Sequence, residues 1–238
     1  MNVYWFARNM DKDLADVSDM LEDAGFYGWL LPYVAGLPDP FVRIARSLNT
    51  DQKLKYLVAV RPHTITPQYL LAITRGLDFI QKDRVRVNFV PGWKTTGARE
   101  HWFSGPTPPI DDNSTLDDRK RYLCSYIKDF KNMNGSKPYV YISGMPDDIC
   151  PNMLDFGDAN IVSYGLLASD KLDGYSRDAI ISIPVISIEM LRERMNHARS
   201  EGFENIMIHI DERDSLDWVL TKKIFEEIKA LKAIDKPE

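Results

Sequence analysis

The sequence predicts an α/β fold: a compact (β/α)8 TIM-type barrel with a long loop after the fourth strand. Three observations predict it. Strand-like and helix-like segments alternate from end to end, which argues for a parallel sheet with helices outside it. About eight such units follow one another, which favours a closed barrel over an open sheet. No G-x-G-x-x-G turn and no Walker A loop is present, the signatures of an open nucleotide-binding sheet. The 238 residues suffice for one barrel, so 1–238 read as a single domain.

The elements follow in order. Val3–Ala7 is a short apolar-aromatic strand. Asp11–Ala24 is a helix with Leu14, Val17, Ser18, Leu21 and Ala24 on one face, capped by Gly25. Tyr27–Tyr33 is the second strand and Pro40–Leu48 a helix with Pro in its first turn. Leu54–Val60 is the third strand, and Thr66-Pro67 opens the next helix. Val85–Val90, rich in β-branched residues, is the fourth strand. Residues 91–118 carry several Gly and Pro and no clean periodicity, so they predict a loop. Trp93, Trp102 and Phe103 in that loop want burial, which leaves a lid over a pocket or a segment packed on the rim. Arg119–Lys131 is helical, Lys137–Ser143 the fifth strand, Asp147–Asp155 a short helix, Asn160–Tyr164 the sixth strand. Ala179–Ile186 is the seventh, weakened by Pro184. An amphipathic helix (Ile188–Ser200, ended at Gly202), the last strand (Asn205–Ile210) and a closing helix (Leu216–Leu231) complete the pattern.

Composition narrows the function. The net charge is −5, and the densest basic run, Arg119-Lys120-Arg121, is short and flanked by Asp117 and Asp118. That is a solvated helix face, and nucleic acid is not an expected partner. No apolar run approaches the roughly 20 residues that span a bilayer, and the N-terminus does not read as a signal peptide. Two cysteines, Cys124 and Cys150, make neither a disulfide framework nor a zinc site. A reducing, cytoplasmic setting is the natural expectation. No His/Cys/carboxylate cluster has metal-ligand spacing, and no G-x-S-x-G elbow occurs.

In a barrel the chemistry sits on the loops after the strands. Arg61 closes the third strand and suits a phosphate, sulfonate or carboxylate, or else a structural ion pair. His63, in the same loop, is a candidate acid or base, or a plain polar loop residue. Arg86 and Asn88 share one face of the fourth strand, opposite Val85, Val87 and Phe89, and read as two polar residues pointing into the barrel mouth. His209 and Asp211 share a face at the end of the last strand. Ser143-Gly144 precedes a helix start, where free N–H groups suit a phosphate or make an ordinary cap. The doublets Asp111-Asp112, Asp117-Asp118 and Asp147-Asp148 read as caps and solvated charge.

The string from Leu54 to Gly92, LKYLVAVRPHTITPQYLLAITRGLDFIQKDRVRVNFVPG, resembles the third-to-fourth-strand unit of the bacterial luciferase-like flavin monooxygenases, alkanesulfonate type. The resemblance rests on Leu54–Pro62, Thr66-Pro67, Leu77-Asp78 and Asn88–Gly92. Weaker likeness extends over Val3–Phe6, Gly28–Pro32, Arg121-Tyr122, Pro138–Gly144 and Ile188–Ile210. The family's Gly-Gly-Ser-Ser turn reads Ser143-Gly144-Met145-Pro146 here, and Asp118 stands where many members have His. The resemblance implies a short member that uses reduced FMN, delivered by a separate flavin reductase, to oxidise a small, sulfonate-like organic substrate with O₂. It implies flavin or substrate contacts at Ala59, Arg61 and Asn88, a turn at Gly92, and a phosphate end near Tyr122, Ser143 and Gly144. It also implies a homodimer. Two other readings stay open: a barrel of the same ancestry that binds flavin or another ligand without turnover, and a deazaflavin-dependent oxidoreductase.

Overall fold

Short runs rich in β-branched and aromatic residues form eight strands in the computed structural model. They are β1 (Asn2–Ala7), β2 (Gly28–Leu31), β3 (Lys55–Val60), β4 (Val85–Phe89), β5 (Val140–Ser143), β6 (Asn160–Ser163), β7 (Ile180–Pro184) and β8 (Asn205–Ile210). Each pairs in parallel with the next, and β8 pairs with β1, so the sheet is a closed barrel in chain order. The structure describes residues 1–7, 14–32, 38–48, 52–90, 115–134, 140–143, 160–163, 179–210 and 218–234, with β5 and β6 described as backbone alone. The short helix expected at 147–155 lies outside these residues, as does the predicted loop up to residue 114.

Carrying one register once round the ring returns to β1 eight residues from where it began. That stagger over eight strands is the geometry of a TIM barrel. It shifts the level by one residue per strand, so inward positions fall into layers drawn from alternate strands. From the N-terminal end upward, the first layer holds Gly28, Arg86 and Asn205, and the second Tyr4, Leu57 and Ile180. The third holds Leu30, Asn88 and Met207, and the fourth Phe6, Ala59 and Ser182, with Ser143 at the same level on β5. His209 comes next, then Pro184 and, beyond the end of β3, Arg61.

The lumen is packed from the second to the third layer. Tyr4, Leu30, Leu57, Ile180 and Met207 are fully buried and form one cluster with Phe6. Each such side chain contributes about 1.5–3 kcal/mol. The alternate set faces the helices: Trp5 meets Phe26 and Phe225 edge-on at 5.6 and 5.1 Å, and Phe89 meets Tyr126 and Phe130 at 5.6 and 5.7 Å.

Six helices are described: α1 (Leu14–Asp23), α2 (Pro40–Ser47), α3 (Pro67–Ile80), α4 (Leu116–Asn134), α5 (Ile188–Ser200) and α6 (Trp218–Ile234). Their ends follow local chemistry. Gly25 and Gly202 take the positive φ values, 85° and 77°, that end α1 and α5. Asp39, Thr66 and Ser187 cap α2, α3 and α5 through their side-chain oxygens. α4 starts at Leu116, earlier than the predicted Arg119. Thr115 Oγ1 accepts from the Asp118 N–H at 3.1 Å while Asp118 Oδ2 accepts from the Thr115 N–H at 3.1 Å, a reciprocal capping box. The residues that end the predicted loop are thus the first turn of a helix.

The N-terminal end is a braced floor. Arg84 Nε donates to the Leu54 carbonyl at 2.6 Å, its guanidinium lies 5.6 Å from the Tyr56 ring, and burial holds its pKa below the ordinary value. The Tyr56 hydroxyl pairs with Ser18 at 2.9 Å. Lys55 meets Asp83 at 2.7 Å.

Candidate active site at the barrel mouth

Each strand delivers its last inward residue to the C-terminal mouth, and side-chain size changes sharply on the way up. Below, the lumen is filled by Tyr4, Leu57 and Ile180. Two levels higher it is lined by Ala59 and Ser182, with Phe6 as the large side chain. Leu57 and Asn88 are fully buried, whereas Ala59 is only half-buried. Among the described lumen residues at this level Ser182 and Phe6 are buried, as is His209 above them, and Ala59 alone keeps some exposure, over the buried layer of Leu30, Asn88 and Met207.

β3 and β4 supply one wall. Ala59 is the register partner of Asn88, and Asn88 the partner of Tyr141 on β5. An amide inside a strand must be held by hydrogen bonds, and here it sits among apolar floor residues. Arg61 is half-buried, one inward position above Ala59. Its carbonyl accepts from the Thr64 N–H at 2.9 Å and from Thr64 Oγ1 at 2.8 Å, which anchors the 3₁₀ turn Pro62–Thr64. His63 lies in that turn; its side chain is outside the described set.

β8 supplies the opposite wall, four strands away round the ring. His209 is buried, registers with Phe6 and Pro184, and packs on the Phe6 ring at 4.6 Å between centroids. Asp211 lies outside the described residues, as do Gly92 and Gly144. Ser143 ends β5 at the level of Ala59. Tyr122 is not on the barrel wall: it is half-buried on α4 and packs against Tyr126 at 6.2 Å. Burial raises its pKa, with Asp129 adding to the effect.

Arg86 departs from the sequence reading. It faces the lumen, as its parity with Asn88 requires, but it does not reach the mouth. Its Nη1 donates to the Tyr4 hydroxyl at 3.2 Å and its Nη2 to the Tyr27 hydroxyl at 2.9 Å, and it lies 5.3 Å from the Tyr27 ring. Tyr27 precedes β2, so these bonds hold Arg86 at the floor. Asp118 is likewise occupied, by the α4 cap and by Arg121 at 2.5 Å, and those hydrogen bonds hold its carboxyl below the usual range.

Phe6 and Ser182 are mouth-lining residues that sequence reasoning missed. In the sequence, Ser182 reads as an interruption of an apolar run. Its parity with Pro184, and through it with His209, is the signal that assigns it to the lumen.

Comparison with known proteins bears on the fold. No family model matches the chain. Among solved structures, the chain is similar to the monooxygenase RslO1 from Streptomyces bottropensis, with 10% sequence identity over 91% of this chain and 90% of that one, and a TM-score of 0.59. It is also similar to long-chain alkane monooxygenase (LadA), with 11% identity over 95% and 85% of the two chains and a TM-score of 0.59. The likeness is one of fold. Both matches span nearly the whole barrel, so the strand order and closure described above belong to an architecture that these two monooxygenases share. No described helix is long and apolar enough to cross a membrane.

Proposed function

We propose that the chain is a reduced-flavin-dependent monooxygenase of the luciferase-like family, oxidising a small, anionic, sulfonate-like organic substrate with O₂ in the cytoplasm. One observation carries the reading: above the buried Asn88 layer, the lumen wall on β3 carries a small, part-exposed residue, Ala59, and then Arg61. The residues that the sequence resemblance assigns to flavin, Asn88, Ala59 and Arg61, follow one another upward along that one wall. The similarity in fold to two monooxygenases agrees with it.

In this reading a planar ring would lie above Leu30 and Met207, beside Ala59 and the Phe6 ring. The Asn88 amide can hydrogen-bond a polar ring edge. The Arg61 guanidinium can grip an anionic group bidentately. When bound, reduced FMN would supply the electrons that activate O₂. The protein's own part is to orient the substrate, exclude water and handle protons. His209, buried beside Phe6 at the level above Ala59, and His63, in the turn after Arg61, are the candidate acid-base groups. Tyr122, Ser143, Gly144 and Gly92 complete the proposed flavin contacts. A separate reductase would deliver the cofactor.

The test is a fluorescence titration of the purified protein with FMN and, anaerobically, with reduced FMN, followed by O₂ uptake. Binding of reduced FMN with O₂ consumption is the expected result. Binding without consumption would replace the enzyme by a ligand-binding barrel. No binding of either form overturns the flavin reading. An Arg61→Ala variant with unchanged binding of sulfonates would remove Arg61 from the site.

A further inference from the structure

The N-terminal end of the barrel holds a cleft of its own, at the opposite end from the mouth. It is about 520 Å³ in volume and opens between the segments that lead into β2, β3 and β4, with Glu22, Gln52, Lys53, Lys82 and Arg84 on its walls. Such a volume lies in the ordinary range of small-molecule sites. β3 separates it from the mouth by about 15–20 Å, the length of a six-residue strand.

Three buried polar atoms on these walls have no hydrogen-bond partner among the described residues: Arg84 Nη2, Glu22 Oε2 and Gln52 Oε1. Each is fixed by the other polar atoms of its own side chain. Arg84, 3% exposed, donates Nε to the Leu54 carbonyl at 2.6 Å and Nη1 to the Gln52 carbonyl, which leaves Nη2 as its open corner. Glu22 Oε1 accepts from the Lys53 N–H at 2.7 Å, which leaves Oε2. Gln52 Nε2 donates to Asp19 Oδ1, which turns Oε1 away from that pair. Buried polar groups left unmet cost stability, so a donor and two acceptors open in one cleft mark a place for a ligand. Glu22 and Arg84 are near enough for their charges to interact, so one small molecule can meet both.

The charge of the cleft narrows the ligand. Lys55 is engaged by Asp83 at 2.7 Å. Lys53 and Lys82, both exposed at the rim, have no ion-pair partner among the described residues. Together with Arg84 they set three cations against one lining carboxylate, Glu22. Three cations suit a dianion. The two open acceptors require hydroxyl donors on the same molecule, because Glu22 repels an anion from its own side of the cleft.

We propose that this cleft is a second ligand site and that it takes a small phosphorylated sugar or polyol. The phosphate accepts from Arg84 Nη2 and from the Lys53 and Lys82 ammonium groups, and hydroxyls of the ligand donate to Glu22 Oε2 and Gln52 Oε1. Inorganic phosphate leaves both acceptors unmet, and an uncharged sugar leaves the three cations unmet. The site stands on the floor of the barrel and is independent of the flavin reading.

Isothermal titration calorimetry with glycerol 3-phosphate, ribose 5-phosphate and glucose 6-phosphate tests it, with inorganic phosphate and glucose as partial ligands. At least one ester binds, about tenfold tighter than inorganic phosphate, and glucose does not bind. Binding of none of the three esters overturns the proposal. An ester no tighter than inorganic phosphate, the mark of an adventitious ion only, overturns it too. Arg84 braces two carbonyls, so the variants are placed elsewhere. Lys53→Ala/Lys82→Ala, on exposed side chains, weakens ester and inorganic phosphate alike by about tenfold, with wild-type far-UV circular dichroism. Glu22→Gln keeps the acceptor for the Lys53 N–H, replaces the second oxygen by an amide nitrogen, and narrows the preference for ester over inorganic phosphate. Unchanged ester affinity in both variants overturns the site. Arg61→Ala reports on the mouth: wild-type ester affinity is expected there, and a loss confined to Arg61→Ala places the ester at the mouth and overturns the floor site.

Discussion

The ring of Tyr4 lies where a side chain on Gly28 would begin. A Cβ on Gly28 would stand 2.7 Å from both Cδ1 and Cε1 of that ring and 3.0 Å from the Lys55 carbonyl oxygen. Glycine is needed here for space, because Tyr4 reaches across the lumen to Arg86. Gly28→Ala is expected to lower stability by about 1–3 kcal/mol, the usual effect of overpacking. Urea unfolding measures it, and adding Tyr4→Leu should recover part of the loss.

Arg86 places a guanidinium 6% exposed at the base of the lumen, donating to the Tyr4 and Tyr27 hydroxyls. Tyr27→Phe removes one acceptor and is expected to cost about 1–3 kcal/mol. Tyr4→Phe acts on the same group, so the two losses should not add. A double-mutant cycle in urea reads the coupling; strictly additive losses would contradict a shared partner.

The last two helices are clamped by a bidentate pair: Arg192 Nε and Nη2 each donate to a Glu227 carboxylate oxygen at 2.7 Å. The hydrogen bonds from Arg192 lower the Glu227 pKa below its ordinary 4.5. A depressed carboxylate contributes stability that is complete above its unfolded value and is lost as pH falls through the folded value. With Arg192 57% exposed, the contribution at neutral pH is about 0.5–1 kcal/mol. The stability difference between wild type and Glu227→Gln should therefore hold at neutral pH and close as pH drops below 4.5.

Thr115→Ala deletes the hydroxyl half of the α4 capping box and should cost about 1 kcal/mol. Amide hydrogen exchange localises the effect: protection should fall in the first turn of α4 and stay unchanged at Tyr126–Phe130, which are held by Phe89.

At the candidate site, Asn88→Leu keeps the branched shape and removes the amide from the apolar floor. Reduced-FMN affinity is expected to fall about tenfold, or about 1.4 kcal/mol, with unchanged far-UV circular dichroism. Equal affinity in the two proteins would take Asn88 out of the flavin site.

The barrel was legible wherever local pattern decides structure. Gly25, Pro40, Thr66 and Gly202 mark helix ends that the structure reproduces, and β8 matches its prediction at both ends. The start of α4 was misread because the Thr115–Asp118 box lies in a polar segment, where the apolar period gives no signal. Arg86 was misplaced for another reason. Parity tells which way a strand residue faces but not at what height, and height is set by stagger accumulated over all eight strands. Phe6 and Ser182 escaped notice on the same ground, since their level depends on partners up to 203 residues away in sequence.

The closing seam between β1 and β8 has one more consequence. Asn2 Nδ2 donates to Asn205 Oδ1 at 3.1 Å across it, and Lys232 Nζ reaches the Met1 carbonyl at 2.7 Å. On the ribosome, β1 emerges first and its outer edge has no strand to pair with until β8 is made. At about 5–20 residues per second that interval lasts about 10–40 s. For that time the aromatic β1 segment lacks one of its two pairing partners, a risk that chaperones exist to cover.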